Sequence, residues 1–529
     1  LKDTLQQYPI DFYKYYGYNE KLDPDLGEHV ICLGKVQRHF EEELVVDYYD
    51  KKVIDFLHTK GESESDYDDY IIVPKNLDHV HTALRRFNSP PDPFTSEVKS
   101  LYSEAAKWMY EEFYPFMSQS KIKSYCFLTD YHFNGKKSPG YPWNLKYPTK
   151  NDYWNSDDSI FFDEYWHRLG TDDPIMSLFA VSIKEEMRKR AKVEKGGIRT
   201  IIASDVNHTV AMGALFLDQN EKMNKSHLRH SSAIGVSMMY GGWDNVVRRM
   251  NRIDDELCVF ELDGVKFDAK FFNIHFQHIK EFRTLCLDDS EKTTENLKRV
   301  HNVYENFKYM LWVSVDGKVY LVRVGNPSGQ GCTTNDNTLK NYMDNAVLFM
   351  LLTPAFLHSH KLFQMFVILV LVGDDDSMSV DKRIRHLYNP TRIMAIAHKI
   401  HMEYTTPCYE PRRMVDTEFL GHGFLPIKYR GFTVYVPSID CHKMRASLVM
   451  FNKSHTLVET INRLCGFRNE TWACKSCRKW FSECAQYVRN QCVDGDPAID
   501  TAWKGYLSDL ELAEIFTGYK FTISDLSKL

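Results

Sequence analysis

A mixed α/β (α+β) chain with a helical tail is what this sequence predicts, and three observations predict it. Residues 366–372, FVILVLV, are seven apolar side chains running into Gly373, with the length and bulk of a buried strand. Residues 97–118 place apolar side chains at the spacing of an amphipathic helix. The last hundred residues repeat that helical spacing, as in LSDLELAEIF (507–516).

At 529 residues the chain has room for several domain-sized units or one multi-lobed enzyme. With 43% hydrophobic and 14% aromatic residues it can build a large core, which excludes global disorder. A net charge of −6 points to no nucleic-acid partner on average, so charge has to be read by region. The 12 cysteines are scattered except near the end and read as reduced thiols in a cytosolic setting. No signal peptide is evident, and Leu1 reads as a processed or trimmed start. The long apolar region 345–372 is interrupted by Pro354, His358, His360, Lys361 and Gln364. Those breaks argue against a transmembrane segment and for a helix, a turn and a buried strand.

In chain order, ESESDYDDY (62–70) carries five acids in nine residues and reads as a solvated loop. FNSPPDPF (87–94) is a proline-rich connector. KEEMRKRAKVEKGGIR (184–199) has seven Lys or Arg against three Glu. A charged surface helix is its plain reading. The Gly196–Gly197 break before the strand-like IRTIIAS describes instead a basic, hairpin-like element able to line a channel for phosphates. Trp243, in AIGVSMMYGGWDNV (233–246), reads as core packing. The run 255–262 alternates like a strand and leads to Asp263. GNPSGQGCTTNDNTLKNYM (325–343) is a glycine-rich turn opening a helix over 333–352. In the tail, Cys465, Cys474, Cys477, Cys484 and Cys492 include one CxxC. Without a matched second pair that is a weak zinc pattern, and buried or free thiols are the preferred reading.

Adjacent carboxylates at the end of an apolar strand repel one another and resist leaving water. Gly373 lets the chain turn, so Asp374 and Asp375 would sit on a hairpin. A second strand delivers Asp263, with Asp268 five residues on. Two strands each supplying a carboxylate are what two-metal phosphoryl transfer requires, although a solvated acidic turn would look the same locally. Thr333, Asn335 and Asn337 read most plainly as a polar loop with an N-cap, yet Thr, Asn and Asp268 together could contact a sugar hydroxyl, which both donates and accepts.

These residues, in this order, resemble the RNA-dependent RNA polymerases of picornavirus-like positive-strand RNA viruses. KVEKGGIRTIIAS is similar to that family's motif F, LDGVKFD to motif A, PSGQGCTTNDNT to motif B and VGDDD to motif C. SPGYPW (138–143) is similar to motif G, and TEFLGHGF (417–424) stands where motif E follows. The resemblance covers about 130–430 and implies a closed right hand, with an antiparallel palm sheet flanked by helices and a helical thumb. Fingers would occupy 1–215 and 272–318, palm 216–271 and 319–425, and thumb 426–529. It implies that Asp263 and Asp374, with Asp375 assisting, coordinate two Mg²⁺ ions, for which Mn²⁺ can substitute. Asp268, Thr333 and Asn337 would read the ribose, while Lys184, Arg188 and Arg199 would grip the triphosphate. Ser138, Gly140, Ser328 and Gly329 would meet template RNA, and the aromatics of SPGYPW could brace its path.

The implied partners are RNA template and primer, NTPs, other viral replication proteins met through the first 130 residues, and a viral protein primer, in place of which some relatives begin without a primer. The implied location is the host cytoplasm, in a complex that reaches membranes through partners. The chain departs from the family at Val372, where tyrosine is common, and at Glu410, near the place of a lysine proposed as general acid. Arg412, Arg413 or Lys399 would have to substitute. Its Leu1 stands where picornaviral relatives free a glycine. Asp376 matches no family role. A reverse transcriptase would carry an aromatic residue where Asp268 stands, a dead scaffold would lose its metal carboxylates, and a nuclease would not use the basic and sugar-reading segments.

Overall fold

The computed structural model describes residues 1–9, 15–17, 26–43, 48–128, 133–253, 255–451, 456–493 and 495–528. Two sheets position everything else. The larger runs Tyr15–Gly17, Val30–Val36, Lys318–Val322, Met310–Val313, Leu178–Ile183, Thr200–Ser204. Its pairs are antiparallel except Leu178–Ile183 with Met310–Val313. The smaller sheet runs Val367–Val372, Asp375–Val380, Val259–Gly264, Tyr404–Thr405, antiparallel throughout.

The seven-residue apolar run becomes the Val367–Val372 strand because both its faces are covered, one by the Thr333–Leu352 helix and the other by the Gly242–Met250 helix. Val372 pairs with Asp375, so Gly373 and Asp374 form a two-residue turn. Gly373 has φ +62°, a conformation that glycine adopts without a Cβ penalty.

The Thr333–Leu352 helix is buried from Asn335 to Met350 although it carries two aspartates, a lysine and four asparagines there. Each charge has a partner. Asp336 receives Arg283 at 2.6 Å and the Tyr304 hydroxyl at 2.9 Å, and Asp344 binds Lys340 and the Tyr102 hydroxyl. The Ser96–Met117 helix, capped by the Thr95 hydroxyl, packs along it. The C-terminal region begins with a hairpin, Gly423–Tyr429 and Phe432–Ser438, and continues as six helices among the described residues.

Three expectations are corrected. The acidic run 62–70 is not simply a solvated loop. It forms a Glu64–Tyr67 turn with Tyr67 and Tyr70 buried, and Tyr70–Ile72 pairs with Met187–Lys189 in the basic segment. Its acids alternate with aromatic side chains that face inward, a pattern that counting charges hides. Tyr141 and Trp143 of SPGYPW are fully buried, so they are core and not the wall of a path. The basic stretch is neither a surface helix nor a plain hairpin. It is the short Met187–Lys189 strand and one helical turn, Arg190–Glu194, closed where the Lys184 amide donates to the Arg199 carbonyl. Trp243 is buried, stacks on Phe424 and donates to the Gly423 carbonyl, as core packing requires.

Candidate active site

Register brings the carboxylates together. Asp375 lies opposite Asp263 in the small sheet, and Thr405 flanks Asp263 on the other side. Asp374 occupies the turn one residue away. All three are exposed, and none forms an ion pair among the described residues. Enclosure in the mouth of the site raises the Asp374 carboxyl above its ordinary range, and Asp263 and Asp268 add to it while Arg199 opposes. Enclosure, then Asp374 and Asp263, push the Asp375 carboxyl up to about 6. The crowding is an unrelieved repulsion, which a bound cation would cancel.

The turn is held from behind by the Thr333–Leu352 helix. The Gly373 amide donates to the Thr338 hydroxyl at 2.7 Å, and its carbonyl accepts from the Asn341 amide at 3.2 Å. Asp376 points to the other face of its strand. It is buried, and Oδ2 accepts from Asn345 at 2.8 Å while Oδ1 has no hydrogen-bond partner among the described residues. Burial pushes its carboxyl up to about 7, with Asn345 opposing and Asp375 and Asp344 adding. Asn345 in turn donates to Asn341, so the third aspartate belongs to the scaffold of the turn rather than to its open face.

In front of the turn lies a cavity of about 540 Å³. Asp374, Asp268, Thr333, Asn337 and Ser328 line one part, and Lys184, Arg188 and Arg199 line the other. The glycine-rich loop reaches this position by docking on the Thr200–Ser204 strand. The Ser328 hydroxyl accepts from the Ile202 amide at 3.1 Å, and the Gly329 amide donates to the Ile202 carbonyl at 2.9 Å. A Cβ at Gly329 would lie 2.9 Å from Ala203 Cα, so only glycine permits that approach. The Asn326 amide donates to the Asp268 carbonyl, and its side chain donates to Asn337 Oδ1 at 2.8 Å. One loop therefore fixes Asp268 and Asn337 relative to each other.

The sequence reading missed three contributors. Arg86, at the end of the Leu77–Arg85 helix, and Lys266 add cations to the cavity wall. Glu186 gathers the basic side chains: Arg199 donates to both its oxygens at 2.7 Å, with Lys184 at 3.3 Å and Arg188 at 3.9 Å. Burial alone would raise the Glu186 carboxyl, and Arg199 and Lys184 outweigh it, holding it below the usual range. A Glu between cations in a basic motif was the available signal.

Ser138 and Gly140 stand apart from the cavity. The Ser138 hydroxyl accepts from the Gly140 amide, and Gly140 packs on Ser204 and Asp205, the far end of the strand that Ser328 touches. Arg412, Arg413 and Lys399 do not line the cavity either; Arg412 pairs with Glu261 and Arg413 with Asp416.

Paired-strand carboxylates, a polar trio and a cationic wall around one cavity are the layout of a nucleotide-polymerising site. The family described as "Viral RNA-dependent RNA polymerase" matches residues 63–471. The chain belongs to that family. The chain is 28% identical over 331 residues to the non-structural polyprotein 1AB of Turkey astrovirus 1, covering 61% of this chain and 20% of the polyprotein. It is 30% identical over 257 residues to that of Turkey astrovirus 2, covering 47% of the chain and 15% of the polyprotein. It thus spans no more than a fifth of these relatives. Among solved structures, a Sicinivirus 3Dpol RNA-dependent RNA polymerase superposes with a TM-score of 0.68 at 15% identity, covering 91% of this chain and 100% of that one. The mixed α/β, right-hand fold expected of the polymerase is the fold it has. No helix among the described residues is long and apolar enough to cross a membrane.

Proposed function

We propose that the chain extends an RNA primer on an RNA template, transferring ribonucleoside monophosphates from NTPs to a 3′-hydroxyl during replication of a viral RNA genome. The observation that carries this reading is that Asp374, the polar trio and three cations line one cavity, with Asp263 and Asp375 in register beside it.

The donor set suits hard cations, being solvent-open carboxylate oxygens from two strands without a cationic partner among the described residues. Divalent metal use goes with the family, and we assign two Mg²⁺ ions, replaceable by Mn²⁺, to Asp263, Asp374 and the assisting Asp375. When bound there, the ions would supply charge stabilisation for an in-line displacement at phosphorus. Arg199, Lys184 and Arg188 receive the triphosphate and stabilise charge on the departing pyrophosphate, exchanging Glu186 for phosphate oxygens. Asp268, Thr333 and Asn337 read the ribose 2′-hydroxyl. Ser328 and Gly329 face the template base, and Ser138 and Gly140 guide the template further upstream.

We assign the fingers to 1–215 and 272–318, the palm to 216–271 and 319–425, and the thumb to 426–529. The Lys318–Val322 strand continues the larger sheet across the boundary between 318 and 319. A viral protein primer and other replication proteins are the expected partners beyond RNA and NTPs. They would bring the polymerase to host cytoplasmic membranes.

The test is extension of an annealed RNA primer–template with Mg²⁺, using ribonucleotides and deoxyribonucleotides in parallel. Wild type should extend with ribonucleotides, and Asp374→Ala should lose about 10³-fold or more in rate, the scale of charge stabilisation a metal site supplies. Ordinary kinetics in the variant would overturn the carboxylate assignment.

A further inference from the structure

Outside the lining of the cavity, the fold assembles three sulfur atoms that the proposed function does not use. Cys441 opens the Cys441–Val449 helix, Cys474 caps the Lys475–Arg489 helix, and Cys477 lies in the first turn of that helix. Their sulfur atoms all lie within 4.8 Å of one another. Cys441 Sγ is 3.5 Å from Cys474 Sγ, and Cys441 and Cys477, with Cα atoms 5.7 Å apart, are joined as a disulfide. CxxC at a helix start supplies two ligands on one side. The third arrives 33 residues earlier in sequence, delivered by the hairpin that precedes its helix. Cys465, Cys484 and Cys492 belong elsewhere, two in the core and one against the Val488 carbonyl.

We propose that in the reduced protein Cys441, Cys474 and Cys477 form a three-thiolate site for a thiophilic divalent cation, zinc, with the fourth tetrahedral position open to water. Zinc–sulfur bonds of about 2.3 Å place sulfur atoms roughly 3.8 Å apart in a tetrahedron, the spacing that Cys441 and Cys474 approach. Among the described residues no His, Asp or Glu ligand atom joins the cluster. Cys441 and Cys474 are half-buried, so solvent reaches the open position, while Cys477 is buried.

The surroundings favour thiolates. Two helix N-termini converge on the sulfurs, each contributing partial positive charge. The Ser476 hydroxyl lies 3.4 Å from Cys474 Sγ. Binding exchanges three S–H bonds for three S–Zn bonds and releases three protons, with no electron transferred. The disulfide form occupies two of the three ligands, and a reducing host cytosol disfavours it.

The site would act as a brace. His442, next to Cys441, stacks on Tyr67 at 5.2 Å and bonds Asp69 at 2.9 Å. Tyr70–Ile72 then pairs with Met187–Lys189, the strand beside the cationic wall. Metal at the helix starts would thus fix the C-terminal helices to the segment that carries the triphosphate-binding side chains.

The experiment is zinc content of the full chain, purified under a non-thiol reductant and dialysed after zinc loading, read by native mass spectrometry and elemental analysis. About one zinc per chain is expected for wild type and for Cys492→Ser, and at least about a tenfold loss for Cys441→Ser and Cys474→Ser. Cobalt loading of the wild type should give an intense sulfur-to-cobalt charge-transfer band, which reports the ligands even where the serine variants fold poorly. The proposal is overturned by a reduced wild-type chain that retains no zinc, by equal zinc in Cys474→Ser, or by a cobalt spectrum without thiolate bands. It is equally overturned if alkylation on lysis from a reducing cytosol finds Cys441 and Cys477 still joined.

Discussion

Asp344 and Asp374 lie at opposite extremes of one design. Asp344 is wholly buried and is surrounded by Lys340, Tyr102 and His275, of which Lys340 and His275 hold its carboxyl below the usual range against the cost of burial. Asp374 is exposed, lacks an ion pair among the described residues, and has its carboxyl raised by enclosure and by other acids. At these two positions the same side chain is neutralised where it supports the fold and left uncompensated where a ligand must come. The helix Thr333–Leu352 serves both, carrying the paired charges inside and gripping the Gly373 turn at its edge.

The sharpest way to break that contrast is to remove a charge from each class. Asp374→Asn should abolish extension to the same degree as the alanine variant, while thermal melting shows the midpoint unchanged or raised, because a repulsion has gone. Arg283→Met should do the reverse. It strands Asp336, buried with its guanidinium partner at 2.6 Å, at a cost of about 3–5 kcal/mol in urea unfolding. Comparable stability losses in both variants would erase the distinction.

The next effects are within the cavity. Asp268→Ala should lower discrimination against deoxyribonucleotides by roughly tenfold or more, measured as the ratio of kcat/KM values, since a sugar-reading group is lost. Unchanged selectivity would remove Asp268 from the ribose contact. Arg199→Ala should raise the nucleotide KM about tenfold, the scale of one charge-assisted hydrogen bond pair.

What the sequence made legible follows the same division. The strand, the turn and the motif-bearing helix were readable because apolar runs, Gly373 and the order of short motifs are local. The limits of the helix over 333–352 agree with Thr333–Leu352, since its glycine-rich start and its end before Pro354 are both local signals. Asp376 was unreadable because alternation, not identity, turns it inward onto Asn345. Tyr67 and Tyr70 were hidden by the acids between them. Cys441 lay outside the cysteine-rich window, and only the tertiary fold carries it to Cys474. Partners distant in sequence leave no local mark.

Glu186 gives the smallest expected effect and tests the comparison most finely, because it is a paired acid inside the site. If it merely stands in for phosphate, Glu186→Gln should free Arg199 and Lys184, and the nucleotide KM should fall a few fold. Stability should move by about 1 kcal/mol or less, since Arg199 is largely exposed and water screens the pair. Because its carboxyl is held below the usual range, Glu186 stays ionised throughout neutral pH, so the difference between variant and wild type should be flat there. The opposite sign is equally informative. A rise in KM would mean that the carboxylate pre-positions the guanidinium, and that the ordering it provides outweighs the competition it offers. Steady-state KM at two salt concentrations separates the cases further, because competition between Glu186 and a triphosphate weakens as salt screens both, whereas lost ordering persists.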